Sequence, residues 1–205
     1  MRLLVIETAT EACSVALFEE GSLSGSFHET IGRGHAERLV PMISRLDEKG
    51  RADRICVSLG PGSFTGVRIG LATARALGVA WNVPVRGYPT LALVAGMARS
   101  HGAGEVTVCM NGGHGEWFVQ EFDAQGLPRG DLASLAPDVA AARANCPVIA
   151  GSRAKEMAAL IAGHPTVSPS TLPDAAHFLT VPDALRTEHL PPLYGRAPDA
   201  KLPAR

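Results

Sequence analysis

From residue 54 to residue 81 the chain reads as a strand over 54–59, a loop, Gly60-Pro61-Gly62-Ser63-Phe64, and a helix over about 65–81. That helix is apolar on almost every side, so it has no face to give to water and must be covered on more than one side. It carries small residues at every fourth position: Gly66, Gly70, Ala74 and Gly78. Each glycine costs ~1 kcal/mol of helix propensity against alanine, so a close backbone approach has to return it. The sequence alone leaves open whether the stripe meets the protein's own sheet or another chain.

The flanking segments predict an α/β fold. Residues 2–8, 13–20 and 23–29 read as a β-meander turning at Gly21-Ser22, and its first strand is apolar enough to be buried on both faces. In 35–47 the apolar residues Leu39, Met42, Ile43 and Leu46 share one helical face with His35, and Pro41 predicts a kink or a late start. A strand over 83–87 and a helix over 90–99 follow. After Gly102-Ala103-Gly104 a second, weaker round begins with a hairpin, 105–110 and 116–123, joined by Asn111-Gly112-Gly113-His114-Gly115. A strand over 147–150, a helix over 153–162 and another over 174–185, broken at Pro182, complete it. These segments divide into a first half, 1–103, a reduced second half, 104–190, and a proline-rich tail, 191–205.

Charge excludes one class of function. The 205 residues carry 19 basic and 20 acidic side chains, a net charge of −1, with no polybasic run. Autonomous, charge-driven binding to nucleic acid is not expected of such a chain. The four cysteines form no CxxC pair, which excludes a zinc ribbon or redox dithiol and fits a reducing, cytoplasmic setting. No apolar run approaches the ~20 residues of a membrane span. Between residues 54 and 104 there is no Asp or Glu, while five arginines occur, Arg54, Arg68, Arg75, Arg86 and Arg99.

The glycine-rich loop fails three tests for chemistry. It lacks the lysine of a phosphate loop, its third glycine comes one residue late for a dinucleotide loop, and Ser63 follows Gly62 directly, unlike a nucleophile elbow. A turn-and-packing role is expected. Glu7 closes the first strand where actin-like enzymes place Asp, and Glu11 would repel a polyphosphate. Glu7 is expected to hydrogen-bond its own loop. The seven histidines show no helical i, i+4 pair, since His35 meets Leu39. No metal, cofactor or catalytic set is predicted.

Four stretches carry a resemblance. Gly60-Pro61-Gly62-Ser63-Phe64-Thr65-Gly66-Val67-Arg68-Ile69-Gly70 resembles the signature of the TsaB (YeaZ) family. The opening Ile6-Glu7-Thr8-Ala9-Thr10-Glu11-Ala12-Cys13-Ser14-Val15-Ala16-Leu17 is similar to that family's first hairpin, His35-Ala36-Glu37-Arg38-Leu39-Val40-Pro41-Met42-Ile43 to its first helix, and Pro192-Leu193-Tyr194-Gly195-Arg196-Ala197-Pro198-Asp199-Ala200-Lys201 to its end. The resemblance implies an actin-like/Hsp70/sugar-kinase fold of two similar halves. It implies a non-catalytic, cytoplasmic subunit of the system that makes N6-threonylcarbamoyladenosine at position 37 of tRNA. The implied partners are a TsaD-type transferase and a TsaE-type ATPase, with tRNA reached through the complex; a homodimer of the isolated chain through its own helix pair is a further alternative. The family's Asp-Ala-Arg at the second hairpin is Asn111, Gly112 and Gly113 here.

The two helices over 35–47 and 65–81 are expected to present a flat patch to the same helices of the related subunit, forming a four-helix interface. Leu39, Met42, Ile43, Phe64, Val67 and Leu71 are the candidate interface residues, with Arg68 as a donor at the rim. The alternatives are a nucleotide-binding ATPase or kinase, or a metallopeptidase, of the same fold.

Overall fold

The computed structural model describes residues 1–163 and 165–195. The chain builds one supersecondary unit twice. In the first, β1 (Arg2–Glu7), β2 (Ala12–Glu19) and β3 (Ser22–Thr30) form an antiparallel meander. β4 (Arg54–Ser58) and β5 (Val85–Tyr88) add in parallel to β1, giving the order β3-β2-β1-β4-β5. In the second, β6 (Val106–Gly113), β7 (Glu116–Phe122) and β8 (Pro128–Leu135) repeat the meander. β9 (Val148–Ala150) and β10 (Thr166–Val167) repeat the parallel addition, in the equivalent order β8-β7-β6-β9-β10. The two similar α/β halves are those of an actin-like/Hsp70/sugar-kinase fold.

The helices repeat as well, and they show where the second half is reduced. α1 (His35–Ser44) and α2 (Phe64–Trp81) correspond in order to α4 (Pro137–Arg143) and α5 (Ala154–Leu160). α2 has 18 residues and α5 only 7. After β5 comes α3 (Thr90–Ser100), while after β10 the described residues make two short 3-10 turns, Ala175–Thr180 and Asp183–Leu185.

Strand alternation sorts the core into three layers of packing. Leu3 and Val5 of β1 point to one side, with Val106 and Val108 of β6, and α3 fills the space between the sheets. This explains why α3 is buried from Thr90 to Ala98. Leu4 and Ile6 point the other way, beneath α1 and α2. Cys109 and Val119 do the same beneath α4 and α5.

Several expectations are corrected. Pro41 does not delay the start of α1, which begins at His35 and runs through it. Pro41 and Glu37 both lie on the exposed side, where water can serve the carbonyl that proline leaves unpaired. Residues 174–185 form two 3-10 turns, Ala175–Thr180 and Asp183–Leu185, instead of a helix, because Pro182 separates two pieces too short to nucleate one. β8 and α4 carry weak periodicity and were not expected.

The C-terminal segment returns to the first half. Gly87 and Thr187 exchange backbone hydrogen bonds of 2.7 and 2.9 Å, which covers the edge of β5. Arg75 donates to the Leu190 carbonyl at 3.0 Å, and the Leu193 N–H donates to the Leu59 carbonyl at 2.7 Å. Residues 191–195 of the expected tail are thus docked, and the rest of it lies outside the described residues.

Candidate functional site

The site is built where the two halves face each other at the C-terminal end of β1. Glu7 ends that strand completely buried. Its Oε1 accepts from the Ala9 N–H at 2.7 Å and from Ser58 Oγ at 2.8 Å. Tyr88 Oη lies 3.4 Å from Oε2 and donates to the Ile6 carbonyl at 3.1 Å. Burial pushes the carboxyl up to about 7, against the hydrogen bonds that favour its charged form. Glu7 therefore pins the turn after β1, as expected from its position, and does not reach solvent.

The glycine-rich loop packs directly on that turn. The Ser63 N–H donates to the Ala9 carbonyl at 2.6 Å, and Thr8 Oγ1 donates to the Gly66 carbonyl at 2.8 Å. A Cβ on Gly62 would lie 1.9 Å from the Ala9 oxygen, and one on Gly66 would lie 2.1 Å from the Thr8 oxygen. Ser63 caps α2, its Oγ accepting from the Gly66 N–H at 3.2 Å. The small-residue stripe thereby gains its meaning: it seats α2 on the protein's own sheet. Gly62→Ala has no flexible neighbour to displace, only backbone. It should cost at least 2–3 kcal/mol, a loss of stability readable by urea titration.

This seating overturns most of the expected interface set. Leu39 and Met42 are fully buried, and Ile43, Val67 and Leu71 nearly so, all in the core beneath α1 and α2. The apolar face of each helix is consumed by Leu4, Ile6, Val15, Leu17, Ile55 and Val57 of the sheet. As surface for another chain these five are unavailable. Phe64 and Arg68 are exposed, as a surface role requires.

The opposite faces carry the surface. Val40 on α1 is 56% exposed, and on α2 Phe64 is 53% and Val79 85% exposed. Pro41, Ala72, Ala76 and Ala80 are exposed beside them. The two helices touch each other over one face of the first sheet. Val40 and Val79 escaped the sequence reading because it took the richest apolar stripe as the docking face. The signal was available in the stripe itself: once Gly66, Gly70, Ala74 and Gly78 face the sheet, Arg68, Ala72, Arg75 and Val79 must face out.

Where α2 begins, a cleft of about 810 Å³ opens between the halves. The first half contributes Thr10, Glu11, Ser63 and Arg68, the second Asn111, His114 and Ser152. Asn111 is held by Ser152, whose Oγ accepts from its N–H at 3.0 Å, and its own Oδ1 accepts from the Gly113 N–H at 3.2 Å. At the mouth Phe64 stacks on Tyr194, with centroids 5.6 Å apart. Tyr194 belongs to the closing motif of the sequence but had no role assigned to it. His35 is buried, its Nε2 3.2 Å from the Ala12 carbonyl, and Leu39 one turn later is core. Among the described residues no three His, Cys, Asp or Glu side chains cluster as metal ligands.

Comparison with known proteins agrees with this architecture. The family model for TsaD, tRNA N6-adenosine threonylcarbamoyltransferase, matches residues 22–182. The tRNA threonylcarbamoyladenosine biosynthesis protein TsaB of Escherichia coli K12 is 38% identical over 149 residues. That alignment takes in 68% of this chain and 64% of the relative, a little under two thirds of its length. An uncharacterized Mycobacterium tuberculosis protein, Rv3421c, is 33% identical over 97% of this chain and 93% of its own. The structure of YeaZ from Pseudomonas aeruginosa superposes with a TM-score of 0.75 at 35% identity, covering 88% of this chain and 89% of that one. A second Pseudomonas aeruginosa structure, described by its similarity to peptidase YEAZ, gives the same TM-score at 34% identity. With the internal duplication, the α2 loop and these relatives in agreement, the chain belongs to the TsaB (YeaZ) family, within the wider family that the TsaD model describes.

Proposed function

We propose that this chain is a non-catalytic subunit of the machinery that forms N6-threonylcarbamoyladenosine in tRNA, and that it acts by pairing with a TsaD-type transferase through the outer faces of α1 and α2. One observation carries the reading: two adjacent helices seated on one sheet face leave Val40, Phe64 and Val79 in water. Large apolar side chains left in water along the outer faces of two adjacent helices fit contact with another chain. Two packed helices meeting the equivalent two of a related subunit make a four-helix contact. The backbone-to-backbone seating of the glycine loop supports a structural role for the segment that a phosphate-binding enzyme would keep open. A TsaE-type ATPase joins the pair, and tRNA is engaged by the assembly, in keeping with the near-zero net charge. Among the described residues no helix is long and apolar enough to cross a membrane, and the cytoplasm is the proposed location.

The test is co-expression with the TsaD-type protein of the same organism, followed by size-exclusion chromatography and a tRNA modification assay. A stable complex is expected, with modification requiring both chains. Two folded proteins that elute apart would sink the partnership. Metal analysis and a titration with Mg-ATP on the isolated chain check the enzyme readings; stoichiometric metal or tight nucleotide binding would revive them.

A further inference from the structure

We infer that Arg68 is the anchor for a carboxylate of the partner subunit, so that the partner surface facing the start of α2 is acidic. The inference rests on the partnership proposed above and adds the chemistry of what docks there. Arg68 is exposed on the second turn of α2. Its guanidinium carbon sits 3.6 Å from the centroid of the Phe64 ring, and its Nη2 donates to Tyr194 Oη at 3.3 Å. Phe64 and Tyr194 in turn stack on each other, and each is about half exposed. A long, flexible side chain is thereby held in place before any partner arrives.

No carboxylate among the described residues lies within ion-pair distance of Arg68. The surrounding stretch, residues 54 to 104, itself supplies no Asp or Glu. The guanidinium keeps N–H groups free on a planar fork whose geometry matches a carboxylate. Holding that fork in place removes part of the ordering cost of binding. An arginine framed by exposed aromatic rings has the composition of an interface hot spot.

An RNA phosphate is the other anion an arginine takes. The surroundings favour a protein. The same helix pair exposes the apolar side chains of Val40 and Val79, which suit a protein surface and offer nothing to a phosphate backbone.

The experiment measures the affinity of the purified full-length chain for its TsaD-type partner at low and high salt, for wild type, Arg68→Ala and Arg68→Lys. Binding of tRNA to the complex is followed in parallel. Arg68→Ala should weaken the heterodimer about tenfold to a hundredfold at low ionic strength, the scale of a hydrogen bond to a charged group. The loss should shrink at high salt. Arg68→Lys should recover part of the affinity, since it keeps the charge and loses the fork. Both variants should melt within a few degrees of wild type, because the side chain is exposed. Unchanged affinity and salt dependence in Arg68→Ala would overturn the inference while leaving the partnership standing. Absence of a complex with wild type would instead overturn the partnership. An intact heterodimer that has lost tRNA binding would assign Arg68 to phosphate and overturn the inference too.

Discussion

Leu39→Glu should yield no folded subunit, whereas Val79→Glu should yield a folded subunit that no longer co-purifies with its partner. The two sites lie on the same helix pair and differ in the direction they face. Leu39 is fully buried among the strands beneath α1, so the substitution removes a well-packed side chain and places a carboxylate where water cannot follow. Truncating a buried leucine alone costs about 2–5 kcal/mol, and burying an unpaired charge costs several more. The sum rivals the roughly 5–15 kcal/mol that holds a whole domain together. Val79 is 85% exposed, and a charge there should change stability by no more than about 0.5 kcal/mol. In the complex the same charge would be desolvated against an apolar partner face. Circular dichroism and co-purification separate the outcomes. A Val79→Glu chain that pairs with wild-type affinity removes the outer face of α2 from the interface.

The second large effect is on pH dependence. Burial pushes the Glu7 carboxyl from its ordinary 4.5 up to about 7. Between those values the folded protein holds a proton that the unfolded chain has released. Stability should therefore be highest below pH 4.5 as far as this group is concerned, fall as pH rises through the window, and level off above pH 7. The full drop corresponds to about 3 kcal/mol. Glu7→Gln keeps an acceptor for Ala9 and Ser58 and offers an amide N–H to Tyr88 Oη, which itself donates to the Ile6 carbonyl. It should match wild type near pH 4.5 and melt several degrees higher at pH 8. Thermal melts of both proteins between pH 4.5 and 8 test this. Parallel curves would show that Glu7 is not the buried acid described here.

The sequence made legible what rests on strong local signals. The continuous apolar run of β1, the Gly21-Ser22 turn of the first hairpin and the apolar helix after the glycine loop placed most of the first half. The second half was legible only as a weaker round because its elements share the topology of the first without sharing their length: α2 has 18 residues where α5 has 7. β8 was invisible for a physical reason. Its residues are exposed or half-buried along their whole length, so no apolar face imposes a period of two. The candidate site was read with the right helices and mostly the wrong sides. An apolar stripe reports that a face is buried, not by what, and for Leu39, Met42, Ile43, Val67 and Leu71 the burying partner is the chain's own sheet. Phe64 and Arg68 gain their setting from Tyr194, more than 120 residues away, a contact that no local pattern encodes.

The return of the C-terminal segment to β5 has a consequence for how the molecule is made. The first sheet is complete by Tyr88, yet its edge waits for Thr187, and Leu59 waits for Leu193. Synthesis delivers those residues about 100 residues after Tyr88. The growing chain must therefore pass through a stage in which a finished sheet has an open edge, the condition under which nascent chains pair wrongly with one another. Closure over so long a sequence separation is slow compared with local helix formation. The window in which this subunit most needs a chaperone thus runs from the completion of β5 until Thr187 and Leu193 have been made and docked.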